Sequence, residues 1–172
     1  GDFMTNQIKR IVLAGGCFWG VEKYFQLLKG VITTTVGYAN GDIDNPTYED
    51  LINHRSTHSE ACEIYYDSNV ISLQEILGHM FRFIDPTSVN KQGGDIGIQY
   101  RTGVYYTTEM DKQIIENFIN QKQIEISKKI AVEVLEENGY YLAEEYHQNY
   151  LNKNPSGYCH VNLNLIKKGE LK

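Results

Sequence analysis

The chain has 172 residues and a net charge of −6 at pH 7, and its lysines and arginines do not cluster. This length is enough for one domain with a real core and short for two. The acidic balance argues against binding to nucleic acid, and no apolar stretch is long enough to cross a membrane. We therefore expect a soluble protein made of a single domain.

Residues 1–3 precede Met4, and we interpret them as a remnant of cloning, with the natural domain spanning residues 4–172. No signal-peptide core follows Met4, which favours the cytoplasm. The three cysteines, at positions 17, 62 and 159, fit neither a disulfide scaffold nor a paired zinc site. We therefore expect no bound metal, and each cysteine needs its own explanation.

The first predicted strand, residues 11–14, stops at Gly15 and Gly16, and a helical pattern begins at Cys17 and continues to Leu28. A helix N-terminus presents unpaired N–H groups and the positive end of the helix dipole, and both favour the reactive thiolate. This position predicts a nucleophilic cysteine. On this segment alone, a cysteine packed as a small hydrophobe beside a tight turn is an equal alternative.

A second strand is predicted over residues 32–38, where apolar and polar residues alternate up to the turn signal at residues 40–41. This pattern places the hydroxyl group of Tyr38 at the end of the strand. A short helix over residues 47–53 is predicted to follow.

A third strand, residues 59–67, puts a carboxyl group on an apolar face. Period two places Glu60 beside Cys62 and Ile64, whereas Glu63 points the other way. A charged carboxylate that faces a core is costly, so Glu60 should be neutral, paired or functional, and a carboxyl group protonated near neutral pH is a general acid. The alternative is an exposed strand end with Glu60 in water. We interpret Cys62 as a packed core thiol.

The second half of the chain continues to interleave helices and strands, which predicts an α/β or α+β domain with one main sheet. Ser72 and Glu75 form a capping box at the start of a helix that runs to Ile84. The further predicted elements are a long loop over residues 86–100, a strand over 102–107, a helix after Thr108, a strand over 130–134 and a last helix over 144–151.

The residues from about 152 onward are rich in proline, glycine and asparagine, which predicts a mobile coil. A cysteine on such a tail can reach another cysteine that is far away in sequence. Cys159 is therefore a candidate resolving thiol, and an incidental exposed cysteine is the alternative.

Six segments together resemble one family, the A-type peptide methionine sulfoxide reductases, and they occur in the family's order over nearly the whole chain. The segments are Gly-Cys-Phe-Trp-Gly at residues 16–20, Gly-Tyr-Ala-Asn-Gly at 37–41, His-Ser-Glu at 58–60, Gly-Asp-Ile-Gly-Ile-Gln-Tyr-Arg at 94–101, Glu-Tyr-His-Gln at 145–148 and Gly-Tyr-Cys at 157–159. The resemblance implies an α+β fold, a two-layer sandwich of the split βαβ (ferredoxin-like) type with long surrounding coil.

The resemblance also implies a reaction, the reduction of methionine sulfoxide to methionine. In this chemistry the Cys17 thiolate attacks the sulfoxide sulfur, and Glu60 gives a proton to the sulfoxide oxygen. The hydroxyl groups of Tyr38 and Tyr100 hydrogen-bond that oxygen. Methionine leaves, and the sulfenic acid on Cys17 is captured by Cys159 as a disulfide.

Further roles follow from the same resemblance. Phe18 and Trp19 form the pocket for the S-methyl group of the substrate, and Asp95 and His147 are supporting residues. The family acts on the S epimer, free or in proteins, binds no cofactor, and is regenerated by thioredoxin or, in vitro, by dithiothreitol. No cysteine follows Cys159, so the reductant should reduce the disulfide between Cys17 and Cys159 directly. We expect a monomer.

Two other readings compete with this one. A hydrolase or acyltransferase could use Cys17 activated by His58 or His147, although the surroundings of Cys17 match no protease signature. A non-enzymatic protein could instead bind partners through a surface rich in tyrosine, of which the chain has 13.

Overall fold

The structure is a computed structural model that describes residues 7–172, so the predicted cloning remnant lies outside the described residues. Within the described residues, eight strands and five α-helices follow one another. They are β1 (Ile8–Gly15), α1 (Phe18–Gln26), β2 (Val31–Ala39), α2 (Tyr48–Ile52), β3 (Ser59–Asp67), α3 (Leu73–Phe83), β4 (Lys91–Gln92), β5 (Asp95–Ile96), β6 (Thr102–Tyr106), α4 (Glu109–Glu125), β7 (Glu133–Glu136), β8 (Tyr140–Leu142) and α5 (Tyr150–Lys153).

Six of the strands form one sheet in the order β7-β6-β1-β3-β2-β8, and β4 pairs with β5 in a separate ribbon. Only β6 and β7 are parallel; the other neighbours in the sheet are antiparallel. The α+β prediction is confirmed, and the finer split βαβ (ferredoxin-like) type stays a prediction. Because β1 runs against β3 and β6, the end of β1 meets the beginnings of both.

The main core lies between one face of this sheet and the longer helices. Alternate residues of β1, Ile11 and Leu13, share a buried cluster with apolar residues of α1 and α3, whereas Val12 and Ala14 lie in a smaller cluster on the other face. The period of two therefore decides which side chains meet the helices. Cys62 is fully buried in the main cluster, as the sequence predicted.

The predicted last helix, residues 144–151, is wrong as a continuous element. A 3-10 turn over residues 145–147 is followed by Asn149 in the left-handed region, with φ of 54°, and only then by α5. The Gln148 side chain explains the break, because its amide pairs with both backbone groups of Val36 on β2. The predicted strand over residues 130–134 is likewise shifted, since β7 begins at Glu133.

The C-terminal residues contact the helices. Arg82 of α3 donates two hydrogen bonds of 2.7 Å to the Glu170 carboxylate, and the Lys29 N–H donates to the Glu170 carbonyl oxygen. Leu28 and Leu171 form an isolated antiparallel bridge. The chain beyond Cys159 is therefore anchored at its far end.

We expect Glu170→Gln to lower the free energy of unfolding at pH 7 by about 1 kcal/mol, because it removes a two-bond ion pair that is partly exposed. Arg82 lowers the pKa of Glu170 to about 2, so the contribution is present above the usual carboxyl pKa of about 4.3 and is lost as the pH falls towards 2. Urea unfolding should show a difference from wild type at pH 7 that shrinks below pH 4.

The matched control is Glu125→Gln, which breaks a far more exposed pair with Lys122 and should change stability little at either pH. A Glu170→Gln difference that is the same at pH 7 and at low pH would contradict the assigned ion pair.

Candidate active site

Four predicted site residues lie at one end of the sheet because of the strand directions. Cys17 follows the end of β1, and Glu60 lies at the start of β3. Tyr38 lies at the end of β2 and is paired directly with Glu60 in the sheet register. Tyr100 ends a 3-10 turn just before β6.

Cys17 is the N-cap residue of α1, as the sequence predicted, and Gly16 before it makes the turn with φ of 89°. The thiol is only 8% exposed. Burial raises its pKa well above the ordinary value and the charge of Glu60 raises it further, whereas the Trp19 N–H lowers it less. The expected thiolate is therefore not the resting form, because desolvation outweighs the helix N-terminus.

Glu60 is 2% exposed, so the alternative of an exposed strand end is wrong. Its Oε1 accepts a hydrogen bond of 3.2 Å from the backbone N–H of Phe18, the residue after Cys17. Burial raises the pKa of Glu60 to about 8 in spite of this hydrogen bond, and the charge of Asp95 adds to the increase. The carboxyl group is thus mainly protonated at neutral pH, beside the residue that carries the thiol.

Tyr38 is fully buried, and its hydroxyl group donates a hydrogen bond of 2.7 Å to Oε1 of Glu144. The other carboxylate oxygen of Glu144 accepts from the backbone N–H of Tyr48 at 2.9 Å. The proton of the Tyr38 hydroxyl is therefore directed to Glu144. This carboxylate joins the end of β2 to the start of α2.

Tyr48 is a site residue that sequence reasoning missed. Burial raises the pKa of its hydroxyl group to about 12, and the charges of Glu60 and then Cys17 contribute. Burial and then the charge of Glu60 also raise the pKa of Tyr100. The Tyr48 ring packs against His147, with the ring centres 4.6 Å apart. The five-residue helix α2 is too short to show a periodic pattern, and Tyr48 had no signal beyond its position after the helix cap Thr47.

Phe18, Trp19 and His147 form an aromatic wall beside Cys17. The Trp19 indole N–H donates to Nδ1 of His147 at 3.0 Å, and the indole stacks on Tyr150 with ring centres 3.7 Å apart. The His147 ring also packs against the Phe18 ring, with the ring centres 5.1 Å apart. Burial lowers the pKa of His147, which keeps Nδ1 free to accept the indole proton.

Asp95 and Cys159 reach the site from two other segments. The hydroxyl group of Tyr158 donates to Oδ2 of Asp95 at 2.9 Å, which brings the residue before Cys159 to the rim. The Cys159 sulfur lies against Gly20 in the first turn of α1, since a Cβ on Gly20 would be 3.1 Å from it. All three cysteines are free thiols.

The hydrolase reading requires a histidine that is hydrogen-bonded to Cys17, and no histidine within residues 7–172 makes that contact. Nδ1 of His147 accepts a hydrogen bond from Trp19, and His58 packs against Gly41 and Tyr141.

Within residues 7–172, no group of three or more His, Cys, Asp and Glu side chains could hold a metal ion. None of the helices described there is both long and apolar enough to cross a membrane.

Three comparisons agree on the relationship of this chain to known proteins. The family model described as peptide methionine sulfoxide reductase matches residues 9–171. The peptide methionine sulfoxide reductase MsrA of Ureaplasma urealyticum is 53% identical over 161 residues, which are 94% of this chain and 98% of that protein.

Two solved structures of Mxr1 from Saccharomyces cerevisiae are also similar. The reduced form is 35% identical, covers 91% of this chain and 92% of that one, and superposes with a TM-score of 0.86. The form in complex with Trx2 is 27% identical, covers 84% and 86%, and superposes with a TM-score of 0.60. The family match and the half-identical relative lead to one conclusion: this chain belongs to the peptide methionine sulfoxide reductase family, whose members reduce methionine sulfoxide to methionine.

Proposed function

We propose that this oxidoreductase reduces the S epimer of methionine sulfoxide, free or in proteins, with Cys17 as nucleophile and Glu60 as acid. The Cys17 sulfur bonds to the sulfoxide sulfur while Glu60 gives a proton to the oxygen. The oxygen takes up the thiol proton of Cys17 and leaves as water, which breaks the sulfur–oxygen bond of the substrate. A water molecule then attacks the Cys17 sulfur, the bond between the two sulfurs breaks, and methionine leaves. Cys17 is left as a sulfenic acid, and the proton released returns to Glu60. The substrate gains two electrons that the thiol loses.

The observation that carries this proposal is a buried carboxyl group with a pKa of about 8 that accepts a hydrogen bond from the residue next to the nucleophile. A sulfoxide oxygen is a poor leaving group until it is protonated, so a nearby acid is what the reaction needs. The same burial keeps the Cys17 thiol protonated before the substrate binds, and its proton goes to the sulfoxide oxygen in the reaction. Because the charge of Glu60 also raises the pKa of Cys17, the two groups titrate as a pair.

We assign the hydrogen bonds to the sulfoxide oxygen to Tyr48 and Tyr100 rather than to Tyr38. Besides burial, the charges of Glu60 and Cys17 both raise the pKa of Tyr48 and of Tyr100. Burial and the charge of Glu60 also raise the pKa of Tyr38, but the Tyr38 hydroxyl group donates its proton to Glu144. Tyr38 then acts as a positioning residue, because Glu144 also holds the backbone of Tyr48. Phe18 and Trp19 provide the apolar wall for the S-methyl group, and Asp95 and His147 support Glu60 and Trp19.

Tyr48→Phe and Tyr38→Phe are a matched pair that tests this assignment. Tyr48→Phe should slow methionine release in the first turnover by about 10²-fold, the cost of removing one preorganised donor to a developing charge. Tyr38→Phe should slow it much less but lower the free energy of unfolding by about 1.5–3 kcal/mol, because it removes a hydrogen bond to a charged group. Rapid-quench kinetics and urea unfolding measure the two effects. If Tyr38→Phe slowed methionine release more than Tyr48→Phe, Tyr38 would be the donor to the sulfoxide oxygen.

For the second half of the reaction we propose that Cys159 attacks the sulfenic sulfur of Cys17, which releases water and forms a disulfide. A thioredoxin then reduces that disulfide, and dithiothreitol replaces it in vitro. The similarity to Mxr1, which has been solved in complex with Trx2, supports this partner. The match to the family model over residues 9–171 supports a single catalytic domain in residues 4–172, with the resolving cysteine on its C-terminal coil.

The proposed function is tested by incubating the protein without reductant with each epimer of a methionine sulfoxide substrate. One methionine released for each pair of thiols lost, with the S epimer only, is the expected result, and Cys17→Ser is the control that should release none. Methionine from neither epimer would overturn the proposal.

A further inference from the structure

The coil after α5 contacts the chain both before and after Cys17. Before the nucleophile, Nε2 of His160 is 2.8 Å from the carbonyl oxygen of Gly15 at the end of β1. After the nucleophile, the Cys159 sulfur lies against Gly20. Two neighbouring residues of the coil thus contact the two segments that flank Cys17.

The His160 contact has a definite chemistry. A carbonyl oxygen only accepts, so Nε2 must carry the proton and donate it to Gly15. Burial lowers the pKa of His160, which keeps the ring neutral, and Nδ1 is buried without a hydrogen-bond partner among the described residues. The hydrogen bond to Gly15 is therefore the one polar contact that fixes this ring within residues 7–172.

Two glycines make room for the contacts. Gly16 has φ of 89°, and a Cβ there would lie 2.8 Å from Nε2 of His160. On the other side, a Cβ on Gly20 would lie 3.1 Å from the Cys159 sulfur and 3.1 Å from a methyl group of Val161. The close approach of the coil to the loop of Cys17 therefore depends on the absence of side chains at both positions.

We propose that His160 is a positioning residue for the resolving step: its hydrogen bond to Gly15 holds Cys159 within reach of the sulfenic acid on Cys17. This inference rests on the proposed function and deepens it. In the step itself, the Cys159 sulfur bonds to the Cys17 sulfur, the sulfur–oxygen bond of the sulfenic acid breaks, and the hydroxyl group leaves as water with the thiol proton of Cys159. His160 touches none of the reacting atoms and acts through its neighbour.

The physical reason is the lack of regular structure around Cys159. Residues 154–162 contain no helix or strand, so individual contacts position the thiol: Tyr158 on Asp95, the Cys159 thiol on the Val161 carbonyl oxygen, and His160 on Gly15. Intramolecular reactions are fast only when the reacting atoms are held near one another, and each contact that restricts the coil raises the effective concentration of the thiol. A single hydrogen bond next to Cys159 should therefore change the rate of disulfide formation and leave the attack on the sulfoxide unchanged.

The test compares His160→Leu, which removes the donor, with His160→Gln, whose amide nitrogen can take the place of Nε2. Each protein is mixed without reductant with the S epimer, and methionine release and thiol loss are followed in the same quenched samples. Asn162→Ala is the matched control, because it removes a hydrogen bond within the same coil, to the backbone of Asn164, and no contact to the loop of Cys17.

We expect His160→Leu to release one methionine per active site at the wild-type rate and to form the disulfide about three- to tenfold more slowly, the factor that one neutral hydrogen bond supplies. Dimedone should then label the accumulated sulfenic acid. His160→Gln should restore the rate, and Asn162→Ala should behave as wild type. The methionine burst counts correctly folded sites, so partial unfolding does not imitate the effect.

Wild-type rates of disulfide formation in His160→Leu would overturn the inference and leave the proposed function intact. Equal slowing of both steps, or no rescue by glutamine, would also overturn it, because His160 would then support the fold as a whole. If the wild-type protein released no methionine, that result would instead contradict the proposed function.

Discussion

Glu60→Gln is expected to slow methionine release in the first turnover by about 10²–10⁴-fold, which is the usual contribution of a general acid. The amide has the shape of the protonated carboxyl group and is also neutral, so the buried site should accept it. Its oxygen can still accept the hydrogen bond from the Phe18 N–H. Rapid-quench measurement of methionine formed per active site gives the rate without any contribution from the reductant.

The pH profile separates an acid from a residue that only shapes the site. The pKa of Glu60 is raised to about 8, so the acid form is present below that pH and is lost above it. The wild-type first-turnover rate should therefore fall as the pH rises through about 8, and the variant should lack this fall.

Glu63→Gln is the matched control for Glu60→Gln, because Glu63 lies on the same strand but faces away from the site and pairs with Arg10. It should keep the wild-type rate and the wild-type pH profile. A Glu60→Gln protein that is as fast as wild type would show that another group protonates the oxygen.

Cys159→Ser is expected to release about one methionine per active site and then stop, so steady-state turnover with thioredoxin should be lost. The Cys17 sulfenic acid has no resolving thiol in this variant, since Cys62 is fully buried in the core. A dimedone probe should label Cys17 after the burst and should label little in the wild type. Mass spectrometry of the labelled protein gives the site and the stoichiometry.

Cys62→Ala provides the comparison, because it removes the other remaining thiol without a role in the relay. It should retain full turnover with thioredoxin, although the lost packing lowers its stability. Full turnover by Cys159→Ser would show that Cys159 does not take part in the mechanism. It would also contradict the role proposed for the coil that positions Cys159.

Short-range patterns in the sequence indicated the positions of the proposed nucleophile and acid. Two glycines between a strand and a helical pattern predicted the position of Cys17 at a helix N-terminus, and the period of two predicted that Glu60 shares a face with Cys62 and Ile64. These predictions hold because strand and helix geometry are properties of a few consecutive residues. The same patterns could not give the protonation state of Cys17, which depends on how deeply the folded protein buries it.

The tyrosines show what local patterns leave open. The sequence placed the Tyr38 hydroxyl near the strand end, but its direction is set by Glu144, which is 106 residues away. Tyr48 lies in a helix that is too short to show a period, and the same carboxylate holds its backbone from 96 residues away. Hydroxyl groups take whichever partner the fold brings to them, so their roles depend on contacts between distant segments.

The C-terminal part was the least predictable for the same reason. A composition rich in proline, glycine and asparagine indicated coil, but the position of that coil follows from His160 on Gly15 and from Arg82 on Glu170. The sequence by itself determined the α+β class and the positions of the proposed nucleophile and acid, because these depend on local periodicity and on motifs that resemble a family. The tertiary structure decided the burial of Cys17 and Glu60, the hydrogen-bond partner of the Tyr38 hydroxyl group and the position of the coil that carries Cys159, because burial and hydrogen bonds between distant segments exist only in the folded chain.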